Sequence, residues 1–512
     1  MLKLFKAARL AGIPILAIRT ADQNATIQAI KAEWDEFVLA QWDAARGVTP
    51  VNKAGQQALA KADIKSDDTI NFVEAMGAAQ QLPPKAILFA HNAQRQLHTS
   101  EPLAVAASVQ SVCNVRDTFK MNFRMLVLLT PYGFVPPSEL EHDLVTLDHA
   151  LPGSDVLKTV VEELFVAAKK NFEGLPDPTP ESLTRSVDAI SGLSKFEAEQ
   201  VTAMSLTPTG IDLDALWERK RVTIEQTRGL KVYRGKERFD DIVGLENVKA
   251  RLRQRLTGRR PIGVVVWVDE IDKVLANVEH DTSGVRMDQL RTLLAEMEDN
   301  EWEGVVLAGL PGGGKSLLGK AFGNEAGVPT ISLDLAAMEG SLVGESEARL
   351  RQAMAVIKAV GGGSAFFVAT SNNATIMRPE LQRRFTGGFF FFDVMTAEER
   401  RAAWTFYLTK YGLDATQPLP PDDGWTAAEV RNCAREAWNC RISLAEAAQY
   451  IIPVAQARAE EFEGMRRYAN GKYLGASKAG TYKYTKKAMA TMVRAIALHP
   501  IEADTIVNMQ ES

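Results

Sequence analysis

Gly304-Val-Val-Leu-Ala-Gly309-Leu-Pro311-Gly312-Gly313-Gly314-Lys315-Ser316-Leu317 is the stretch on which the reading of this 512-residue chain turns. It opens with a short apolar run bounded by glycine, a strand candidate. It then satisfies the pattern Gly-x-x-x-x-Gly-Lys-Ser/Thr. Consecutive glycines let the backbone curl so that its N–H groups face one point, which suits phosphate oxygens. Lys315 brings a positive charge to the β- and γ-phosphates, and Ser316 offers a hydroxyl to Mg²⁺. Leu317–Ala326 reads as a helix, so the phosphates would sit on its N-terminus.

Working outward, Gly263-Val-Val-Val-Trp-Val-Asp269-Glu270-Ile-Asp272 is an apolar run that ends in carboxylates. Asp269 at the end of such a strand would hold Mg²⁺ through its water shell, and Glu270 would polarise an attacking water. A strand ending in Asp-Glu is common by itself; beside a phosphate loop it gains meaning.

These residues resemble the AAA ATPase family, and further segments fit it. Phe239-Asp-Asp241-Ile242-Val-Gly244-Leu245 resembles the segment lying beside adenine. Leu342-Val-Gly-Glu345-Ser-Glu347 resembles the central pore loop and the helix after it. Phe366-Phe-Val-Ala-Thr370-Ser-Asn372 resembles the strand ending in a polar sensor. Arg378-Pro-Glu-Leu-Gln-Arg383-Arg384-Phe385 resembles the arginine-finger segment, and Gly424-Trp-Thr-Ala-Ala428-Glu429-Val430 the start of the lid helix. The resemblance implies ATP and Mg²⁺ as cofactors. Asp241, Ile242, Gly244, Pro311, Gly312, Gly313, Gly314, Lys315, Ser316 and Leu317 would hold the nucleotide. Ser316 and Asp269 would hold the metal. Glu270, Lys315, Asn372, Arg384 and, second to it, Arg383 would act in catalysis. A finger acting in trans implies a homo-oligomeric ring, by resemblance a hexamer.

Within the family, Gly192-Leu-Ser-Lys-Phe-Glu-Ala-Glu-Gln200, Leu216-Trp-Glu-Arg-Lys220 and Gln226-Thr-Arg-Gly-Leu230 are similar to plastid, cyanobacterial and bacterial members that carry a degenerate ATPase-like N-terminal domain. Thr20-Ala-Asp-Gln-Asn-Ala25 stands where that domain's phosphate loop would be. It has no Gly-Lys, so no catalysis is expected there.

The order of the motifs departs from the family. Asp269 and Glu270 precede Lys315, and after the pore-loop helix the chain passes through Gly361-Gly-Gly-Ser364 to the sensor strand. The acidic strand and its helix, Met287–Met297, have moved forward. Relocating a strand–helix unit changes connections without changing neighbours, provided the crossovers stay right-handed. The resemblance implies that the sensor strand lies between the phosphate-loop strand and the acidic strand, and the expectation is an intact site. Leu342 also departs, since threading unfoldases carry an aromatic there.

The fold class expected is α/β: a P-loop NTPase parallel sheet with a helical lid, preceded by a degenerate α/β ATPase-like domain with its own lid. Ile13-Pro-Ile-Leu-Ala-Ile18, Ala86–Ala90 and Met125–Leu129 are its candidate N-terminal strands, with a helix around Asn24–Leu39. Leu175-Pro-Asp-Pro-Thr-Pro180 cannot propagate a helix. The boundaries read from these breaks are 1–175, 176–232, 233–395, 396–463 and 464–512. Phe389–Phe392 reads as a buried core strand. Arg431, on the lid helix, reads as a surface residue. The last segment carries Arg466, Arg467, Lys472, Lys478, Lys483, Lys486 and Lys487 with interleaved Tyr468, Tyr473, Tyr482 and Tyr484, and no acid between Met465 and Lys487. It reads as a solvated tail.

Composition excludes few classes. With 59 Lys+Arg and 64 Asp+Glu the chain is not a globally basic nucleic-acid binder. Three cysteines form no disulfide framework; Cys433 and Cys440 share a helix face and read as buried apolar residues. No apolar run approaches the ~18 residues that span a bilayer, and the N-terminus has no signal-peptide pattern. The expectation is a reduced, cytoplasmic protein without membrane contact. Its function reads as ATP hydrolysis driving the remodelling of an unknown protein partner. The alternatives are a nucleic-acid-associated ATPase whose tail binds single strands through phosphate attraction and base stacking, and an inactive nucleotide-binding scaffold.

Overall fold

The computed structural model describes residues 1–98, 102–172, 174–276, 285–338, 345–376 and 379–485. Leu342 and Arg378, with Lys486 and Lys487 of the basic segment, lie outside the described residues.

Two parallel-rich sheets organise the chain. The first holds β1 (Ile15–Arg19), β2 (Leu39–Asp43), β3 (Gly47–Pro50), β4 (Ile87–Ala90), β5 (Met125–Thr130) and β6 (Val145–Asp148), in the spatial order β3-β2-β4-β5-β1-β6. Its central strands are buried on both faces, as a sheet covered by helices on each side requires. A small hairpin follows, β7 (Leu206–Thr207) and β8 (Gly210–Ile211). The second sheet holds β9 (Leu230–Val232), β10 (Val264–Val268), β11 (Glu303–Gly309), β12 (Thr330–Leu333), β13 (Ala365–Ser371), β14 (Gly388–Phe392) and β15 (Leu474–Gly475), ordered β15-β14-β11-β13-β10-β12-β9. Only β9 runs antiparallel to its neighbour in this sheet.

The two sheets place the same spatial series of strands by different routes. In the first, β6-β1-β5-β4-β2 follow one another across the sheet; in the second, β14-β11-β13-β10-β12 do. The two series match strand for strand once β10, first among these in the chain, is set after β12. The sensor strand β13 pairs with both β11 and β10, the neighbour order expected from the sequence. β10 thus precedes β11 in the chain and lies beyond β13 from it in the sheet.

Side-chain alternation explains the phenylalanine run. Phe389 and Phe391 enter the core on one face of the second sheet, and Phe390 and Phe392 enter the core on the other.

The structure corrects four sequence expectations. The helix around Asn24–Leu39 ends at Trp34, because Leu39 begins β2. The helix Ser154–Ala168 leaves the first sheet and packs with the helices that follow: Leu157, Val161 and Phe165 share a core with Val187, Ile190 and Leu216. The division therefore falls near residue 150, and the prolines at 176–180 lie inside the helical unit. At the other end, the helix Ala459–Ala469 packs on the second sheet through Phe462, Met465 and Ala469. The segment after it adds β15 to β14, so residues 464–485 are an edge of the ATPase-like core. Tyr473 is buried, and Tyr482 Oη donates to Asp393 Oδ2 at 2.6 Å. Arg466 bonds the same carboxylate. Tyr473, Tyr482 and Arg466 are therefore engaged within the domain. The cysteine expectation holds for Cys433, which is buried, and fails for Cys440, which is exposed.

The carboxyl edge of the first sheet rests on the helix Glu345–Val360. A Cβ on Gly133 would come within 2.5 Å of the Ala348 backbone, and Ser191 Oγ donates to Ala359 O at 3.2 Å. Among the described residues no helix is long and apolar enough to cross a membrane.

Candidate nucleotide site

The loop from Gly309 to Gly314 leaves the carboxyl end of β11 and enters the helix Lys315–Ala326. Gly312 and Gly314 have φ of 85° and 90°, values that side chains resist. A Cβ at Gly312 would also come within 2.9 Å of Thr426 Oγ1 at the start of the lid helix Ala427–Cys440. Ala428 N donates to Gly312 O at 3.3 Å, so the lid touches the loop directly. Pro311 and Leu317 flank these positions.

Lys315 is 5% exposed, and its ammonium donates to Gly309 O and Leu310 O, both at 2.7 Å. Burial pushes its pKa down to about 8, against the upward pull of Asp272, Asp269 and Glu270. Ser316 Oγ donates to Asp269 Oδ1 at 3.0 Å. The strand end placed earlier in the chain thus reaches the phosphate loop.

Thr370, given no role in the sequence reading, supports both acids. Its hydroxyl donates to Asp269 Oδ1 at 2.5 Å and accepts from Glu270 N at 3.1 Å. Glu270 sits at φ 51°, a conformation rare for a non-glycine residue. Its Oε1 accepts from Asn372 Nδ2 at 3.3 Å, and its Oε2 pairs with Lys273 at 2.5 Å. Asn372 N donates to Asp272 Oδ1 at 3.2 Å. Asp269, Glu270, Lys315, Ser316 and Asn372 therefore form one constellation.

Other expected residues are placed differently. Ile242 is buried, and Gly244 (φ 70°) lies against Glu399, whose Oε1 accepts from Leu245 N at 3.1 Å. Asp241 turns its carboxylate to Arg238 N at 2.8 Å, a local turn contact. Arg384 donates from Nε to Leu294 O at 3.2 Å and pairs with Glu298, both on the helix Val285–Asp299. Arg383 is exposed, as is Arg431.

The first sheet has counterparts of two of these parts, with different residues. His91 and Asn92 follow β4 as Asp269 and Glu270 follow β10, and Asn92 has φ 50°. After β1, Thr20–Asp22 is a shorter connection than Leu310–Gly314. The Asp22 carboxylate accepts from Ala25 N at 2.9 Å, capping the helix where a phosphate would sit.

The sequence comparisons agree with this geometry. Residues 305–368 match the family described as ATPase family associated with various cellular activities (AAA), and residues 1–149 match the SpoVK-like AAA ATPase N-terminal domain. Both stretches are thus similar to AAA ATPases. The AAA match begins at Val305, so Asp269 and Glu270 lie outside it and reach the phosphate loop through the sheet. Two similar proteins are named uncharacterized AAA domain-containing protein ycf46. The one from Guillardia theta is 26% identical over 49% of this chain and 41% of its own length. The one from Trieres chinensis is 24% identical over 63% of this chain and 68% of its own length. A mouse protein named nuclear valosin-containing protein-like is 29% identical over 48% of this chain and 26% of its own length. The chain thus spans less than half of the first of these relatives.

Proposed function

We propose that the second domain binds ATP and hydrolyses it, and that the free energy released moves a protein partner or complex. The observation that carries this reading is the Ser316–Asp269 hydrogen bond at 3.0 Å, with Glu270 and Asn372 beside it. Hydroxyl, carboxylate and a glycine-lined loop are the donor set a magnesium–nucleotide requires. Ser316 and Asp269 would hold Mg²⁺, which supplies charge neutralisation at the phosphate oxygens. Lys315 binds and orients the phosphates. Glu270 accepts the proton of the attacking water while Asn372 fixes its carboxylate. Lid residues Thr426 and Ala428, already against Gly312, tie the lid to the loop.

The forward placement of β10 is an alternative wiring of the AAA module that leaves this chemistry intact. Work on a partner is supported by how the first domain rests on the helix Glu345–Val360: a shift of that helix moves the first domain. We further read Arg384 as a finger acting on a neighbouring copy, and hence a homo-oligomer. Two variants test the reading. Lys315→Ala should lose nucleotide binding. Glu270→Gln should keep binding and lose turnover, holding its partner during affinity capture. ATP hydrolysis that survives both substitutions rejects the assignment.

A further inference from the structure

Tyr473 comes from the segment that reads as tail and ends inside the core. It is 1% exposed, packed edge-on against Phe389 at 5.9 Å between ring centroids and against Phe391 at 6.2 Å. Its hydroxyl donates to Ala374 O at 2.5 Å. Ala374, itself fully buried, lies two positions after Asn372, the residue whose amide bonds Glu270. The stretch between them is short and already tied. Ser371 Oγ donates to Asn373 O at 2.8 Å and accepts from Asn373 N at 2.9 Å, and Asn372 N bonds Asp272.

The segment that delivers Tyr473 is anchored on other parts of the site. β15 pairs with β14, the neighbour of the phosphate-loop strand. Gly475 O accepts from Asn247 Nδ2 at 2.6 Å, and Ala476 O accepts from Val248 N at 3.0 Å. Both donors stand in the first turn of the helix Glu246–Leu256, directly after the Ile242–Leu245 segment. That turn would otherwise hold an orphan N–H. Asp393, which receives Arg466 and Tyr482, lies between β14 and the helix Ala397–Tyr411.

We propose that Tyr473 is a positioning residue for hydrolysis: its hydroxyl fixes the backbone after Asn372, and so holds the Asn372 amide against Glu270. This rests on the ATPase reading above. The geometry separates two jobs. The ring fills the core, and the hydroxyl sets the loop. Tyr473→Phe removes only the second. A group displaced by a fraction of an ångström changes the chemical step more than ground-state binding.

The test compares full-length wild type with Tyr473→Phe, and with Tyr482→Phe as a strap variant whose hydroxyl bonds Asp393 instead. The expected result is a fall in kcat of about ten-fold in Tyr473→Phe with the KM for ATP unchanged. Tyr482→Phe should keep wild-type kcat. Hydrogen exchange should quicken at the Asn372–Thr375 amides of Tyr473→Phe alone. Equal kcat in wild type and Tyr473→Phe, or unchanged exchange at those amides, overturns the role of Tyr473 while leaving the ATPase reading standing. Wild type without any ATP turnover overturns the ATPase reading itself, and the inference with it.

Discussion

Ser316 Oγ stands 3.0 Å from Asp269 Oδ1, although 47 residues separate them and the acid comes first. The hydroxyl belongs to the first turn of the phosphate-loop helix and the carboxylate to the end of β10, with β13 between their strands. Asp269 also receives Thr370 Oγ1, so its orientation is set from two sides. Asp269→Asn keeps the shape and an acceptor but loses the charge. Magnesium-dependent ATP binding should weaken about 10- to 100-fold, while binding without Mg²⁺ changes little. Fluorescent-nucleotide titrations with Mg²⁺ and with chelator measure the difference; equal loss in both would place Asp269 outside the metal's reach.

Lys315 gives a pH dependence with opposite signs for folding and binding. Burial lowers its pKa from 10.5 to about 8. Between those values the unfolded chain keeps a proton that the folded chain has released. This residue's contribution to fold stability therefore rises as pH climbs through that window. Phosphate needs the charged ammonium, so ATP affinity falls above pH 8, approaching about ten-fold per pH unit. Calorimetry in buffers of different ionisation heat should show proton uptake on binding at pH 9 and none near pH 6.5. A Lys315→Arg protein that still binds should lose this slope, since guanidinium stays charged.

The sequence made the candidate site legible because phosphate chemistry fixes residue types at fixed spacing. Gly309–Ser316 needs no tertiary information, and an apolar run ending in Asp269-Glu270 needs only the neighbouring loop. The neighbour order of β11, β13 and β10 was expected by resemblance to the AAA ATPases, and the strand pairing agrees with it. What stayed hidden were contacts made across the chain. Thr370 lay in a quoted strand, but its bonds to Asp269 and Glu270 depend on the register Val268↔Ala369. Glu298 carries no local signal for its pairing with Arg384. The tail was misread because charge and tyrosine content describe composition, whereas Tyr473 and Tyr482 are placed by β15 joining β14. The boundary near residue 150 was hidden by the stronger proline break after it.

The first domain should hold no nucleotide. Asp22 places a carboxylate on the helix N-terminus after β1, and like charges repel there. Binding stoichiometry should be one ATP per chain, and Lys315→Ala should bring it to zero rather than one. Asp22→Ala should cost about 1 kcal/mol of stability through the lost cap and leave ATP turnover unchanged. Residual saturable ATP binding in Lys315→Ala, seen by equilibrium dialysis, would restore the first domain as a nucleotide site.

Arg384 is oriented by its own chain before any neighbour arrives. Nε is spent on Leu294 O and one terminal nitrogen on Glu298, both from the helix Val285–Asp299. A guanidinium carries five N–H donors in a fixed fork, so this brace leaves donors for a phosphate on another copy. Arg383, exposed beside it, has no such brace. If Arg384 works in trans, Arg384→Ala should lower turnover about a thousand-fold, and Arg383→Ala much less. Arg384→Ala chains keep an intact nucleotide site, and Lys315→Ala chains keep an intact finger. Mixing the two inactive proteins should restore measurable ATP turnover, because some sites then pair a working loop with a working finger. A mixture as inactive as its parts, at concentrations where the wild type assembles, would show that Arg384 acts within its own chain.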